Sequence, residues 1–340
     1  MNRHRTTLVI VSVLLAGLCG CATFARPTPE PFTLVVLPDT QCYADIRTQY
    51  AAKHWGNGDL RELFFQQTSW IKENRDALNI AMVAHLGDVV QADHDHEWWI
   101  ADRAFGALDH EVPYILALGN HDMGWGDLDA YSGTARDTNL NQFFPPARFQ
   151  SNPLYRYGGN LDGVSDNYYL LFSAGGMKFL ILSLEFKPRD EALAWANEVV
   201  ARYPERRCIV VTHAFVDAKR QLNDMKHYKV EGNGAQAVWD KFVKRHASIF
   251  LVLCGHYTGE ATITLKGDHG NDVHALLADY QGWNNGGDGY LRIMTFIPAV
   301  DTIDVRTYSP VLDNEIFAPE SRFTLPYPMK GDTLSRAAAG

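Results

Sequence analysis

The sequence predicts an α/β fold built around a parallel sheet. Three observations point there. Compact apolar, β-rich runs alternate with amphipathic segments from residue 32 onward, which is the rhythm of βαβ units. Five of these runs end at polar groups that carry Asp, Asn or His. Apolar residues make up 46% of the 340-residue chain, enough to bury a large core.

Taken in order, Phe32–Leu37 reads as a buried strand that ends at Pro38-Asp39. Leu60, Leu63, Phe64, Ile71 and Leu78 share one helical face. Ile80–Leu86 is a second strand, Glu97–His110 a helix, and Pro113–Leu118 a third strand. Residues 123–165 break the rhythm with Gly, Pro, Asn, Asp and scattered aromatics. A loop of that length in a compact domain is functional or disordered, and its aromatics (Trp125, Tyr131, Phe143, Phe144, Phe149, Tyr155, Tyr157) argue for an ordered cover. Tyr168–Ser173 and Lys178–Leu184 read as strands, Glu191–Ala201 as a helix, and Cys208–Thr212 as a strand. Ala235–Arg245 is a helix and Ile249–Cys254 a strand. Ala261–Leu265, Val273–Asp279, Tyr290–Phe296 and Thr302–Tyr308 are short and broken by Gly, Asp and Asn, and read as an antiparallel set. The expected organisation is one domain over residues 32–312 and a C-terminal tail over 313–340.

The formal charge of −9 excludes a general nucleic-acid binder, which would show a basic field, so no duplex binding is expected. It leaves an anionic small molecule open, because bound cations invert the local potential. At the N-terminus, Arg3 and Arg5 precede an apolar run of 11 residues, Leu8 to Leu18, too short to span a bilayer. Leu18-Cys19-Gly20-Cys21 resembles a bacterial lipoprotein cleavage and acylation site. Residues 1–20 would then be a signal peptide, Cys21 a lipid anchor to the membrane, and 21–31 a proline-bearing tether. The mature chain would carry −11 and sit as an exported lipoprotein on the periplasmic face of a membrane, the outer one given Ala22, or on the cell surface. Plain secretion and an uncleaved anchor are the alternatives. Cys42, Cys208 and Cys254 remain, an odd number that excludes a full disulfide framework. They are expected to be buried free thiols, with a Cys42–Cys254 pair as the alternative.

The strand ends carry Asp39-Thr40-Gln41, Gly87-Asp88, Gly119-Asn120-His121-Asp122, Thr212-His213 and Gly255-His256. Ligands in open α/β sheets gather at the carboxyl ends of strands, so these five groups are expected to converge. Carboxylate, amide oxygen and imidazole together suit Mn, Fe or Zn. The glycines before Asp88, Asn120 and His256 fit turns where backbone passes close to a site.

In order and chemistry this set resembles the calcineurin-like metallophosphoesterase family, whose pattern runs Asp-x-His, Gly-Asp, Gly-Asn-His-Asp or Glu, His, and Gly-His-x-His. Four of the five blocks are recognisable between Asp39 and His256, and Gly-Asn-His-Asp is the most specific. Pro38-Asp39-Thr40-Gln41, Tyr290-Leu291-Arg292 and Thr307-Tyr308-Ser309-Pro310 also resemble an exported bacterial branch. The resemblance implies a four-layer αββα sandwich of two mixed sheets flanked by helices. It implies two divalent ions (Mn, Fe or Zn) and a phosphate mono- or diester substrate, with a lean to diesters or nucleotides. Carried over, Asp88 bridges the metals, Asn120, His213 and His256 complete the second site, and Asp39 holds the first. A hydroxide between the metals would attack phosphorus in line. His121 would act at the phosphate as acid or hydrogen-bond donor, and Asp122 would orient it.

Two departures fall on the first site. Gln41 stands where the family has the imidazole of Asp-x-His, and Thr258 where it has the second imidazole of Gly-His-x-His. Gln41 can offer a carbonyl oxygen, a harder ligand. The first site is therefore expected to be weak or empty, and the protein binuclear with one labile metal, mononuclear, or inactive. The rival reading is a non-catalytic lipoprotein of the same fold that binds an envelope component. His121 and Asp122 favour catalysis, because metal-supported structure alone has no use for them. Asp93-His94-Asp95-His96-Glu97 reads as a solvated loop and helix start. His85 points by alternation to the opposite face of its sheet. Arg156, Tyr157 and Tyr257 are candidate substrate contacts.

Overall fold

The computed structural model describes residues 29–45, 59–124 and 135–330. The signal-like segment, Cys21 and most of the tether lie outside the described residues, as do Trp125 and Tyr131. Among the described residues no helix is long and apolar enough to cross a membrane.

Two seven-stranded sheets form the centre. In the first, β1 (Phe32–Leu37), β2 (Ile80–His85) and β3 (Tyr114–Leu116) run parallel. In the second, β4 (Arg156–Asn160), β5 (Tyr168–Ala174) and β6 (Met177–Leu184) pair antiparallel, and β6, β7 (Arg207–Thr212) and β8 (Ile249–Cys254) run parallel. β9 (Gly259–Lys266) closes that sheet antiparallel to β10 (Asp272–Asp279), which lies parallel to β8. The chain then returns to the first sheet, where β11 (Leu291–Ile297) pairs antiparallel with β1 and β12 (Thr302–Ser309) with β11.

The sheets face each other through aromatic side chains. Phe32 stacks on Phe296 at 4.6 Å and meets Phe179 of the other sheet edge-on at 5.5 Å. Fully burying one such ring is worth about 1.5–3 kcal/mol, and this shared layer holds the sheets together. On the outer face of the first sheet lie α1 (Gln41–Ala44), α2 (Arg61–Glu73) and α3 (Asp95–Gly106). In α2, Phe64, Gln67, Thr68 and Ile71 are buried at helical spacing, and Phe64 meets Phe105 of α3, which meets Tyr114 of β3. The loop after β3 carries α4 (Leu140–Phe143) and α5 (Pro146–Gln150). On the second sheet, α6 (Asp190–Arg202) and α7 (Ala235–Lys241) bury Leu193, Ala196, Val199, Val200, Ala235 and Val238. The result is the four-layer αββα sandwich.

Three differences from the sequence reading stand out. The last segments do not form one antiparallel set: β10 is buried along nearly its whole length beside β8, whereas β12 alternates as a strand with one covered face does. Residues 123–165 contain β4 and two short helices, with Phe144 and Phe149 fully buried. The expected tail supplies β13 (Asn314–Ile316) and β14 (Arg322–Pro326), both paired to β12. Tyr327 then stacks on Phe250 at 4.0 Å and accepts from Arg207 at 2.7 Å, so the sandwich extends well past residue 312. Cys42, Cys208 and Cys254 are buried free thiols.

Candidate metal centre

The ends of β1, β2, β3, β7 and β8 meet, and their polar side chains converge in a buried cluster. His213 Nε2 lies 3.1 Å from Asn120 Oδ1, 3.1 Å from Asp88 Oδ2 and 3.1 Å from His256 Nδ1. The other nitrogen of His213 donates to the Leu86 carbonyl at 2.9 Å, which leaves Nε2 as a lone pair in the neutral ring. Four lone-pair atoms thus face one another with little room between them. Donors about 2.1 Å from one cation at right angles stand about 3.0 Å apart. One donor atom each of Asp88, His213 and His256 lies within 4.8 Å of the others. The donor set fits a divalent cation, and only a proton or a cation relieves such a meeting.

Local backbone geometry aims these groups. Asp88 (φ 50°) and His256 (φ 75°) both sit in the left-handed region, a conformation that non-glycine residues adopt at a cost of about 1–3 kcal/mol. A Cβ at Gly119 would overlap Asp88 N and Oδ1, and one at Gly255 would overlap Asp39 Oδ1. Those two glycines let the third and fifth loops approach the carboxylates of the first two. Asp39 accepts from the His256 N–H, 3.1 Å from Oδ2, and so pins the last loop to the first.

His121 lies beside this cluster. Its N–H donates to Asp88 Oδ1 at 2.8 Å, and its ring Nδ1 donates to the Gln91 carbonyl at 2.8 Å. Asp122 has other partners than the ring it was expected to orient. Its two oxygens accept from Val90 N–H at 3.0 Å and Gly119 N–H at 2.7 Å, tying the loops after β2 and β3 together. A carboxylate three residues past a glycine meets backbone donors of the turn before it can reach a neighbouring side chain. Gln41 is buried at the start of α1. Its Nε2 donates to Gln91 Oε1 at 3.2 Å, and its Oε1 has no hydrogen-bond partner.

The electrostatics follow from burial. Burial pushes Asp88 up, but His213, His121 and His256 outweigh it and hold the carboxyl below its usual range. Burial, then the charges of Asp279 and Asp88, drives Asp39 well up. Burial, then the Asp88 charge, pushes Asp122 up to about 8. Burial, then the His213 charge, drives His256 well down. For His213, burial pulls down and the Asp88 charge and hydrogen bond prevail upward.

The profile of the Calcineurin-like phosphoesterase family matches residues 32–258, from β1 to the loop that carries His256. The chain belongs to the calcineurin-like phosphoesterases. The chain is similar to the uncharacterized protein YvnB of Bacillus subtilis (strain 168), at 31% identity over 321 residues, 89% of this chain and 22% of YvnB. It therefore spans about a fifth of that curated relative. Among solved structures it is similar to GAP50, the anchor in the inner membrane complex of Plasmodium, with a TM-score of 0.47, 12% identity, and 91% and 94% of the two chains covered. It is also similar to the NAD nucleotidase NadN of Haemophilus influenzae, with a TM-score of 0.44, 13% identity, and 91% and 55% covered.

Asp88, Asn120, His213 and His256 are brought together, with Asp39 held against the His256 loop. Gln91, a residue the sequence reading missed, joins Gln41 to His121, and His121 N–H meets the cluster at Asp88 Oδ1. That reading also took Asp93–Glu97 as solvated, whereas Asp93 and Glu97 are buried. Glu97 Oε2 accepts from Gln91 N–H at 2.8 Å and Ala92 N–H at 2.9 Å, and Asp93 Oδ1 accepts from Trp98 Nε1 and Asn139 N–H. No spacing rule marks carboxylates that grip loop backbone. Asp279, at the end of β10, was missed as well; its charge acts on Asp39, and its position at a strand end was the available signal. His85 is buried and held by Thr40 at 2.9 Å, away from the donor set. Tyr257 lies against His256 at 4.6 Å, whereas Tyr157 stacks on Tyr168 at the far edge of its sheet.

Proposed function

We propose that this chain hydrolyses phosphate mono- or diesters with the help of divalent metal. The observation that carries the reading is the meeting of Asp88 Oδ2, Asn120 Oδ1 and His256 Nδ1 around His213 Nε2, each at 3.1 Å, in a buried cluster. These four would hold one cation, and Asp39 with Gln41 would contribute beside it. A divalent cation there supplies Lewis-acid polarisation of a phosphoryl oxygen and lowers the pKa of bound water.

The chain's own residues supply the rest. Leu86 and Asp88 fix both faces of His213. The Asp88 carboxylate holds the backbone of His121, and the Gln91 carbonyl takes its Nδ1–H. With Nδ1–H given to Gln91, His121 would move a proton through Nε2, donating in the imidazolium form to a phosphate oxygen or a leaving group. Asp122 keeps the loops after β2 and β3 in register, so that Asp88, Asn120 and His121 arrive together.

Export as a lipoprotein through Cys21 is a separate proposal that rests on Arg3 and Arg5, the apolar run Leu8 to Leu18 and the segment Leu18-Cys19-Gly20-Cys21. Hydrolysis is tested with aryl phosphate monoester and diester probes in Mn, Fe, Zn or no metal. Metal-dependent turnover supports the reading, and the ratio of probes ranks the substrate class. Absence of turnover from folded, metal-loaded protein overturns it in favour of a binding role.

A further inference from the structure

We infer that Asp279 is a ligand in a second, all-oxygen cation site made with Asp39, Asp88 and Gln41 Oε1. The inference deepens the metal-dependent reading above and rests on it. The first observation is topological. β10 lies parallel to β8, so its last residue, Asp279, emerges at the same sheet end as Gly255-His256. It pairs directly with Gly259 of β9, one residue beyond Thr258. Thr258 is exposed and lies against the loop leaving β10: a Cβ at Gly282 would come within 2.7 Å of its methyl group and 2.9 Å of its hydroxyl. A carboxylate on the neighbouring strand thus stands beside the position that lacks an imidazole.

The second observation is uncompensated charge. Asp39, Asp88 and Asp279 are 2%, 1% and 0% exposed, and they lie near enough for their charges to act on one another. Among the described residues, the ion pair made by these three is His213 with Asp88; no Lys or Arg side chain pairs with them. Burying carboxylates of one sign without a cation is costly.

The third observation is independent of charge. Gln41 is 2% exposed, its Nε2 is fixed on Gln91 Oε1, and the oxygen of the same amide has no donor. A buried amide oxygen left unpaired costs about 1–3 kcal/mol, and a cation removes that cost. Asp279 is already oriented: Gln281 N–H donates to its Oδ1 at 2.8 Å and Gln281 Nε2 to its Oδ2 at 3.0 Å. Each oxygen keeps a second lone pair for a ligand. Oxygen donors alone select a hard cation such as Mn or Mg, whereas the imidazole-bearing site favours Zn or Fe. The two departures from the family pattern, Gln41 and Thr258, then mark a change of metal and not a loss of one.

The test uses the whole protein loaded with Mn and Zn. Anomalous diffraction at both edges is expected to place Zn between His213 and His256, and Mn in contact with Asp279, Asp39 and Asp88. Bulk metal content is expected to fall from two equivalents to one in Asp279→Ala and Asp279→Asn, with Zn retained and Mn affinity lowered at least about 100-fold. A single cation in the wild type, a Mn peak that does not touch Asp279, or two equivalents in both folded variants overturns the inference. Should the variants fail to fold, the wild-type anomalous map decides. Turnover with one cation bound would sink this inference and leave the hydrolytic reading standing. Two cations on Asp279 without turnover would do the reverse.

Discussion

His213 Nε2 and His256 Nδ1 stand 3.1 Å apart with their rings inclined at 80°. Because His213 spends its Nδ1 on Leu86, the meeting of the two nitrogens serves a shared positive charge. His213→Ala and His256→Ala are each expected to lose the imidazole-site metal and at least about 100-fold in turnover. Metal analysis of purified, folded variants checks this; full metal content in either variant would remove it from the ligand set.

Gly119 and Gly106 make a matched pair. A Cβ at Gly119 meets Asp88, while Gly106, at the exposed end of α3, has nothing within 4 Å. Gly119→Ala is expected to destabilise by about 3 kcal/mol and to displace Asp88. Gly106→Ala is expected to stabilise by about 0.5–1 kcal/mol with turnover unchanged. Chemical denaturation of the two variants, alongside metal content, separates crowding at the site from a general effect of adding a methyl group.

His121 and Asp122 are adjacent in sequence and should fail differently. His121→Ala is expected to keep its melting temperature and lose about 10²–10⁴-fold in turnover. Asp122→Asn replaces an acceptor that serves two N–H groups with an amide that turns a donor toward one of them. It is expected to cost about 1–3 kcal/mol of stability, with activity following the fold. Equal melting curves for Asp122→Asn and wild type would show that the loops do not depend on this carboxylate.

Burial holds the Asp93 carboxyl up at about 6, above the roughly 3.9 of an unfolded chain. Between those values the folded chain keeps a proton that the unfolded chain releases. This group's contribution is therefore fully present below about pH 4 and is lost as pH rises toward about 6. Asp93→Asn retains an acceptor for Trp98 and Asn139 and removes the slope. Melting temperatures from pH 4 to 7 are expected to show the variant gaining on the wild type as pH rises; parallel curves would contradict the assignment.

Much of the architecture was legible because buried strands and amphipathic helices leave strong periodic patterns. β1, β2, β7 and β8 ended where their apolar runs ended, and the polar residues after them were the ones that met. Less was legible where meaning depends on a distant partner. β10 looked like a member of a terminal antiparallel set, and only its parallel pairing with β8 reveals Asp279 as another strand-end carboxylate. β13 and β14 gain their stability from β12, so the local sequence read as a tail. Glu97 and Asp122 act by binding loop backbone and Gln91 by joining Gln41 to His121, and such contacts have no spacing signature. Gln41 and Thr258 were each judged against one missing imidazole, and nothing local in the sequence shows that Asp279 pairs with Gly259 beside Thr258.

The donor cluster around Asp88 is proposed to bind metal in order to hydrolyse a phosphate ester. Asp88 faces His213 through Oδ2 and holds His121 through Oδ1, so Asp88→Asn strikes both functions with minimal change of shape. The direct measurement is hydrolysis of aryl phosphate mono- and diester probes by the wild type and by Asp88→Asn, with and without Mn, Fe or Zn. Metal-dependent turnover in the wild type that falls by at least about 100-fold in the variant is the predicted result. Equal turnover in the two proteins, or none in metal-loaded wild type, would contradict it.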